Sequence, residues 1–201
     1  MFNLIKRDVI IQKKQLLLFV PFIVFFILMD AHPVLIFLVV SLYVPFNALA
    51  FDEKTNVNVL LNSLPYTRKQ IIASRYLGTI VYMAASIGVA IISLTLAHQS
   101  FTVTHVALSV GLFLLFSAMT FPLFYVLKPG YIFPIVMLSF FLFVGGGPAL
   151  LRLMDDSLQG LIQFVMDLPM TTLLTGFLAV AIILYSISWA VSSVVYERKA
   201  F

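Results

Sequence analysis

Two of the three histidines in this chain lie close enough in the sequence to suggest a metal site. His98 and His105 are seven residues apart and flank the polar loop 99–104. A protein zinc site takes three or four ligands, but no third ligand is placed near this pair and the chain contains no cysteine. We therefore interpret both as surface histidines and predict no metal site.

Sequence motifs of enzymes that act within membranes or on nucleotides are absent as well. The metalloprotease motif HExxH, adjacent glutamates on an apolar segment, the nucleophile motif GxSxG and the Walker A phosphate loop do not occur. The lack of cysteine also excludes thiol nucleophiles. The sequence thus predicts no catalytic residue and no cofactor bound to this chain.

The composition places the chain in a membrane. Of its 201 residues, 62% are hydrophobic, only 10% are charged and 20 are Phe. A soluble domain of this size must cover its outside with polar side chains, so lipid is the expected solvent. The length suits a single transmembrane domain, residues 1–201, and we expect any ATPase module to lie on another chain.

Six segments are long and apolar enough to be transmembrane helices, each of which needs roughly 20 residues. Spans one and two occupy residues 15–51, spans three and four occupy 71–127, span five occupies 131–151 and span six occupies 171–195. Turns at residues 30–33 and 128–130 separate neighbouring spans, and both contain Pro, which interrupts a helix. The predicted fold is an all-α polytopic membrane protein.

Positively charged residues define the predicted orientation, because cytoplasmic loops of membrane proteins carry an excess of Lys and Arg. With both termini in the cytoplasm, only Arg152 of the 12 Lys and Arg residues lies outside. The inner set comprises Lys6, Arg7, Lys13, Lys14, Lys54, Arg68, Lys69, Arg75, Lys128, Arg198 and Lys199. Removing any one span would scramble this distribution, so it supports the count of six.

The interior of the predicted spans holds essentially no ionisable side chain. Asp30, His32, His98 and His105 all lie at the outer ends. Transporters driven by protons or ions normally place a carboxylate or another charge at mid-membrane. This absence disfavours a proton- or ion-driven transporter, and a transporter of any other kind would need an energy source on another subunit.

The longest polar interruption follows the second span, at residues 52–70, and we call it the coupling loop. It contains an apolar cluster compatible with a short helix, which Pro65 bounds: Val57, Val59, Leu60, Leu61 and Leu64. Asp52 and Glu53 are placed to stabilise the start of that helix. Thr67 stands three residues before Gln70, which is the spacing of a capping box at the start of span three. An ordinary wetted loop is the alternative interpretation.

Three short blocks of the coupling loop carry a family resemblance. They are Asp52-Glu53-Lys54, Leu60-Leu61-Asn62-Ser63-Leu64-Pro65 and Thr67-Arg68-Lys69-Gln70-Ile71. In this order, between spans two and three, they resemble the cytoplasmic loop of ABC-2 type transporter permeases, in particular the small six-span bacterial branch that includes peptide and toxin exporter subunits. Outside the loop, the resemblance extends to length, span count and topology.

The resemblance implies that the loop carries a coupling helix that docks on a separate ATP-binding subunit. Val57, Leu60, Leu61 and Leu64 would form the docking face, with Arg68 and Lys69 at its rim. ATP and Mg²⁺ would be held by that ATPase subunit, and a second permease chain, identical or related, would complete the conduit. The implied location is a bacterial plasma membrane, with lipid around the spans and no nucleic-acid partner.

The resemblance also implies an amphipathic N-terminal helix, and residues 1–14 have a suitable pattern. Phe2, Ile5 and Val9 fall on one helical face, as in a helix that lies in the headgroup layer. A basic flank that only fixes topology is an alternative. A signal peptide is another, although no convincing small-x-small cleavage site follows.

Two further features lie on the predicted outer side of the membrane. In the outer loop 152–170, an apolar helical stripe is formed by Leu158, Leu161, Ile162, Val165 and Met166. It predicts a short outer helix between spans five and six, with an interfacial loop as the alternative. Gly145, Gly146, Gly147 and Pro148 break span five near its outer end and suggest either a bend beside an exit path or a simple helix end.

Together, these expectations predict that the chain is a permease subunit of an ATP-driven ABC exporter. Its cargo would be hydrophobic or amphipathic, such as a peptide, toxin or antimicrobial, and ATP hydrolysis would occur on the separate subunit. The alternative is an accessory or scaffold membrane protein that binds a cytoplasmic partner without transporting anything.

Overall fold

The computed structural model describes residues 13–54, 67–126 and 168–198, together with Pro134, Leu138 and Phe141. Within these residues all regular secondary structure is α-helical. The five helices are α1 (Lys13–Leu28), α2 (Pro33–Lys54), α3 (Arg68–Leu96), α4 (Val103–Val126) and α5 (Met170–Arg198). The predicted all-helical fold is therefore confirmed for the described part of the chain.

Three of these helices, α3, α4 and α5, are long and apolar enough to cross a membrane. The apolar stretch Pro33–Asn47 of α2 is shorter, and α1 has 16 residues. Each described helix coincides with one predicted span, namely spans one to four and six. Span five was predicted over 131–151, most of which lies outside the described residues, so the count of six and the orientation of the termini stay predictions.

Helix α2 continues through Lys54, three residues beyond the predicted end of span two. Asp52 and Glu53 thus lie in its last turn, and not in the first turn of a separate coupling helix. No Pro or Gly occurs between Phe51 and Lys54 to end the helix. Residues 55–66, with the rest of the predicted coupling helix, lie outside the described residues, as do residues 1–12 and 152–167.

Helices α1 and α3 end in the same way. In each case a residue with positive φ follows the helix, Asp30 at 48° and His98 at 57°. Backbone bonds from Ala31 N to Phe26 O and from Asp30 N to Ile27 O close α1, and the equivalent pair closes α3. This is the Schellman motif, which more often has glycine at the left-handed position. It returns the chain sharply towards α2 and α4.

The helices associate through a core that is rich in aromatic residues. The most extensive contact is between α4 and α5, while α2 packs on both α3 and α4. Buried positions on α3 recur every three or four residues, as expected for one helical face: Ile72, Tyr76, Thr79, Met83, Ser86, Ala90 and Leu94. The buried face of α3 includes hydroxyl-bearing and small residues. Large aliphatic side chains occur both on this face and on the exposed face of α3.

Helix α5 presents a broad apolar surface to the exterior of the bundle. Its exposed large side chains include Val180, Ile183, Leu184, Ile187, Val191 and Val194. Apolar side chains on the outside of a membrane helix contact lipid or another helix without an aqueous penalty. Hydropathy alone therefore could not have distinguished the inner face of α5 from its outer face.

The close approach of α4 and α5 depends on a glycine. A Cβ atom on Gly111 would overlap the Phe177 ring, whereas a Cβ on Gly176 would meet nothing within 4 Å. Gly111 is buried in α4. Small residues at helix contacts allow close packing in membranes, and Gly111 leaves the space on α4 that the Phe177 ring of α5 occupies.

We expect Gly111→Ala to lower the free energy of unfolding by about 1–3 kcal/mol, because the added methyl group overpacks against Phe177. The matched change Gly176→Ala should be neutral or stabilising by up to about 1 kcal/mol, since it only improves helix propensity. Both can be measured by detergent unfolding in mixed micelles, followed by the fluorescence of the chain's 1 Trp. Equal effects of the two changes would contradict the assigned role of Gly111.

Candidate functional site

The candidate site lies where the coupling loop rejoins the bundle, at the start of α3. Thr67 is the N-cap, and its backbone is extended (φ −71°, ψ 150°). Gln70 N donates to Thr67 Oγ1 at 3.3 Å, and Thr67 N donates to Gln70 Oε1 at 3.1 Å. The predicted capping box is therefore confirmed. It satisfies two otherwise unpaired donors and sets the direction in which the chain enters α3.

The first two residues of α3 contact the end of α5. Arg68 Nη1 donates to the Glu197 carbonyl oxygen at 2.7 Å, and Lys69 Nζ lies 3.7 Å from Glu197 Oε1. A guanidinium at the last carbonyl groups of a helix also complements the negative end of the helix dipole. Lys69 is 75% exposed, so its ion pair with Glu197 contributes at most about 1 kcal/mol. We call these three residues the latch.

Arg68 and Lys69, which were predicted to form the rim of a docking surface, thus link α3 to α5 at the coupling-loop end of the bundle. Among the described residues, Arg68 and Lys69 are the predicted site residues whose placement is known. Val57, Leu60, Leu61 and Leu64 lie outside the described residues, and so does the Gly145–Pro148 break. Their predicted roles in docking and near an exit path stay predictions.

A second link between α3 and α5 lies deeper in the bundle, around the fully buried Tyr76. Tyr76 OH is 2.8 Å from Ser188 Oγ and 2.7 Å from Ser192 Oγ. Tyr185 OH donates to the Tyr76 carbonyl oxygen at 3.0 Å, which adds a bond to the backbone of α3. We call these four residues the Tyr76 node.

The node also includes α4, because Ser188 Oγ donates to the Ala118 carbonyl oxygen at 2.7 Å. A hydroxyl has one proton to donate, so this bond determines the direction of the others. Tyr76 OH must donate to Ser188 and accept from Ser192. The result is a continuous donor chain from Ser192 through Tyr76 and Ser188 to Ala118, and it joins three helices.

Aromatic rings surround the Tyr76 node. The Tyr76 ring stacks on Trp189 with centroids 5.8 Å apart and planes at 12°, and it contacts Phe121 of α4 edge-on at 4.7 Å. Tyr125 and Tyr196 form a further edge contact between α4 and α5 at 5.5 Å. These rings exclude water from the hydroxyl chain, so its bonds act in a medium of low dielectric constant.

The latch and the node link α3 to α5 at two levels. Lys69 and Tyr76 are seven residues apart on α3, which is about 10 Å along a helix axis. Two links at that separation oppose both sliding and rotation of α3 against α5. The described site holds no paired nucleophile and base, and its residue types suit transmission of movement.

The sequence carries a signal for the node that is not one of the known functional motifs. Tyr185, Ser188, Ser192 and Tyr196 follow each other at spacings of three and four residues on the last span, and all are buried. In an apolar helix such a row of hydroxyls marks the face that contacts other helices. No spacing pattern in the sequence distinguishes Tyr76, which both donates and accepts a hydrogen bond at the centre of the node.

Several other polar side chains in the described helices make their hydrogen bonds within their own helix. Asn47, Ser93, Thr95, Ser109 and Ser186 hydrogen-bond to carbonyl groups three or four residues earlier in their own helix. This local bond satisfies a hydroxyl or amide in an apolar environment without a partner helix. Ser188 differs from them, because its hydroxyl bonds to the backbone of another helix.

His105 does not pair with His98, its neighbour in the sequence. His105 contacts His32 of the α1–α2 turn, with ring centroids 5.1 Å apart. Within the described residues, no group of three or more His, Asp or Glu side chains is placed to hold a metal ion.

We expect Tyr76→Phe to lower the free energy of unfolding by about 1–2 kcal/mol, because it removes two buried hydrogen bonds between helices. Ser192→Ala should cost about half as much. The neighbouring change Ser193→Ala is the control, since Ser193 Oγ bonds to its own helix at Trp189 O. Unfolding in mixed micelles measures all three, and a Ser193→Ala cost equal to that of Ser192→Ala would contradict the node.

The family described as ABC-2 family transporter protein matches residues 3–197, which is nearly the whole chain. No curated protein and no solved structure shows a significant match. The capping box, the apolar helices and the family match all agree with the resemblance seen in the coupling loop, and the chain belongs to the ABC-2 transporter family of membrane proteins.

Proposed function

We propose that this chain is the permease subunit of an ATP-driven exporter and that a separate ATPase subunit moves it through the coupling loop. The observation that carries the proposal is the double link between α3 and α5. Force applied to residues 55–66 enters α3 at Thr67, next to the latch. From there the Tyr76 node distributes it to α4 and α5.

The distribution of charge supports an external source of energy. In α3, α4 and α5 the Asp, Glu, Lys and Arg residues lie near the loop end: Arg68, Lys69, Arg75, Glu197 and Arg198. The interior of these three helices offers hydroxyl groups and no carboxylate. A proton- or ion-coupled transporter would need a charged group near mid-membrane, so ATP hydrolysis on a partner fits better.

A second permease chain and an apolar cargo complete the proposal. Apolar side chains cover the outer face of α5, where lipid or a second copy of the permease would pack. The apolar side chains of the described helices suit a hydrophobic or amphipathic cargo, such as a peptide, toxin or antimicrobial. The proposed setting is a bacterial plasma membrane with both chain termini in the cytoplasm.

The orientation can be tested on single-cysteine variants, because the natural chain has no Cys. Lys69→Cys at the loop end should react with a membrane-impermeant maleimide only in inverted vesicles. Ser100→Cys, exposed at the opposite end, should react in intact cells. Labelling of Lys69→Cys from outside intact cells would reverse the proposed topology.

The docking role of the coupling loop can be tested by introducing charge. Leu60→Asp and Leu61→Asp should each abolish copurification of the ATPase subunit and lower export at least tenfold, because a carboxylate in an apolar contact is left without a partner. Asn62→Asp introduces the same charge at a polar position of the same loop and should preserve both activities.

Two outcomes would count against the proposal. ATPase binding that survives both leucine changes would show that the docking face was assigned to the wrong residues. Export that continues normally after ATPase binding is lost would favour the accessory or scaffold function, in which the chain binds a partner without transporting.

A further inference from the structure

An exposed apolar stripe on α5 ends in a cation at the coupling-loop end of the bundle. Its members have exposed side chains and follow each other at steps of three or four residues: Val180, Leu184, Ile187, Val191, Val194 and Arg198. Such steps keep to one face of a helix. Arg198 therefore continues the apolar stripe on the same face, and we call these six residues the α5 ridge.

The length of α5 places Arg198 at the level of the lipid headgroups. With 29 residues, the helix is about 43 Å long, whereas the hydrocarbon core of a bilayer is about 30 Å thick. A centred helix extends about 7 Å beyond the core at each end. Arg198 then lies among the headgroups, while Val191 and Ile187 lie beside the acyl chains of the same leaflet.

The charges around Arg198 favour an anion. Its neighbour Glu197 is acidic, but the Glu197 Oε1 atom lies 3.7 Å from Lys69 Nζ. The Glu197 carbonyl oxygen accepts from Arg68 Nη1 at 2.7 Å, so a cation also offsets the negative end of the helix dipole. Three cations and one carboxylate thus lie at this end of α3 and α5, which leaves two positive charges.

A second copy of this chain fits the α5 ridge less well than a lipid does. Copies related by a two-fold axis bring the same residues together. An axis along the ridge would place the Arg198 side chains of the two copies against each other, and facing like charges oppose association. A phospholipid instead offers an apolar chain to the aliphatic residues and a phosphate to the guanidinium.

We propose that the α5 ridge binds an anionic phospholipid in the leaflet at the coupling-loop end. The headgroup phosphate contacts Arg198, and an acyl chain lies along Val194, Val191 and Ile187. A zwitterionic phospholipid binds more weakly, because its ammonium group compensates the phosphate charge. This inference does not depend on an ATPase partner, on the cargo or on the direction of transport.

Native mass spectrometry of the purified full-length chain in detergent tests the site, because it counts bound lipids. Dioleoyl phosphatidylglycerol and dioleoyl phosphatidylcholine are titrated separately, since they share their acyl chains and differ in net charge. The natural chain should bind the anionic lipid at least about fivefold more tightly, as expected for a cation near the membrane surface.

Variants of the ridge separate the headgroup contact from the chain contact. Arg198→Gln should lower the preference for the anionic lipid about fivefold, whereas Arg198→Lys keeps the charge and should retain the preference within about twofold. Val191→Ser shortens the apolar stripe and should weaken binding of both lipids by the same factor, about threefold. An unchanged preference in Arg198→Gln would overturn the proposal.

Two other occupants of the ridge are distinguished by further measurements. Glycerol phosphate carries the phosphate without acyl chains, and it should not displace the anionic lipid even in large excess. Displacement would show that the site binds phosphate alone and would refute the lipid assignment. Val191→Cys introduces a thiol into a chain that has no natural Cys, and it should not form disulfide-linked dimers in membranes. Rapid cross-linking would assign the ridge to a second copy and would also refute the proposal.

Discussion

Helices in lipid cannot associate through the hydrophobic effect, because the acyl chains around them are as apolar as their side chains. The described bundle depends on what remains: close packing at small residues and hydrogen bonds in a medium without water. The Tyr76 node supplies the second of these, and its hydroxyl chain connects α3, α4 and α5. Gly111 supplies the first by letting α4 approach Phe177 of α5.

Polar contacts also divide the bundle into two ends with different properties. At the loop end, the latch and the node join the same helices, α3 and α5, at two levels. At the far end, the ring contact between His32 and His105 and the bonds from Gln99 to Ile27 and Asp30 join the α1–α2 turn to the chain between α3 and α4 and to the start of α4. The two ends of the bundle are therefore held by different kinds of contact.

The contacts of Arg68 and Lys69 differ from those expected of residues that only form the rim of a docking surface. Both contact Glu197, so the residues next to the coupling loop are bound to the last helix. A partner that pushes on the loop would act on α5 without touching it. In the proposed permease, the loop would provide the contact with the ATPase, and the latch and the node would determine which helices follow.

The sequence by itself determined the membrane environment, five helices close to their observed bounds, the capping box at Thr67 and the family. These follow from composition, from helix-ending residues and from short-range hydrogen bonds, all of which are local in the chain. Only the tertiary structure decided that α2 continues past Asp52, that Tyr76 meets Ser188 and Ser192, and that His105 pairs with His32 and not with His98. In lipid both faces of a helix are apolar, so hydropathy does not reveal which side faces which neighbour; that choice depends on hydroxyls and glycines whose partners are more than 60 residues away.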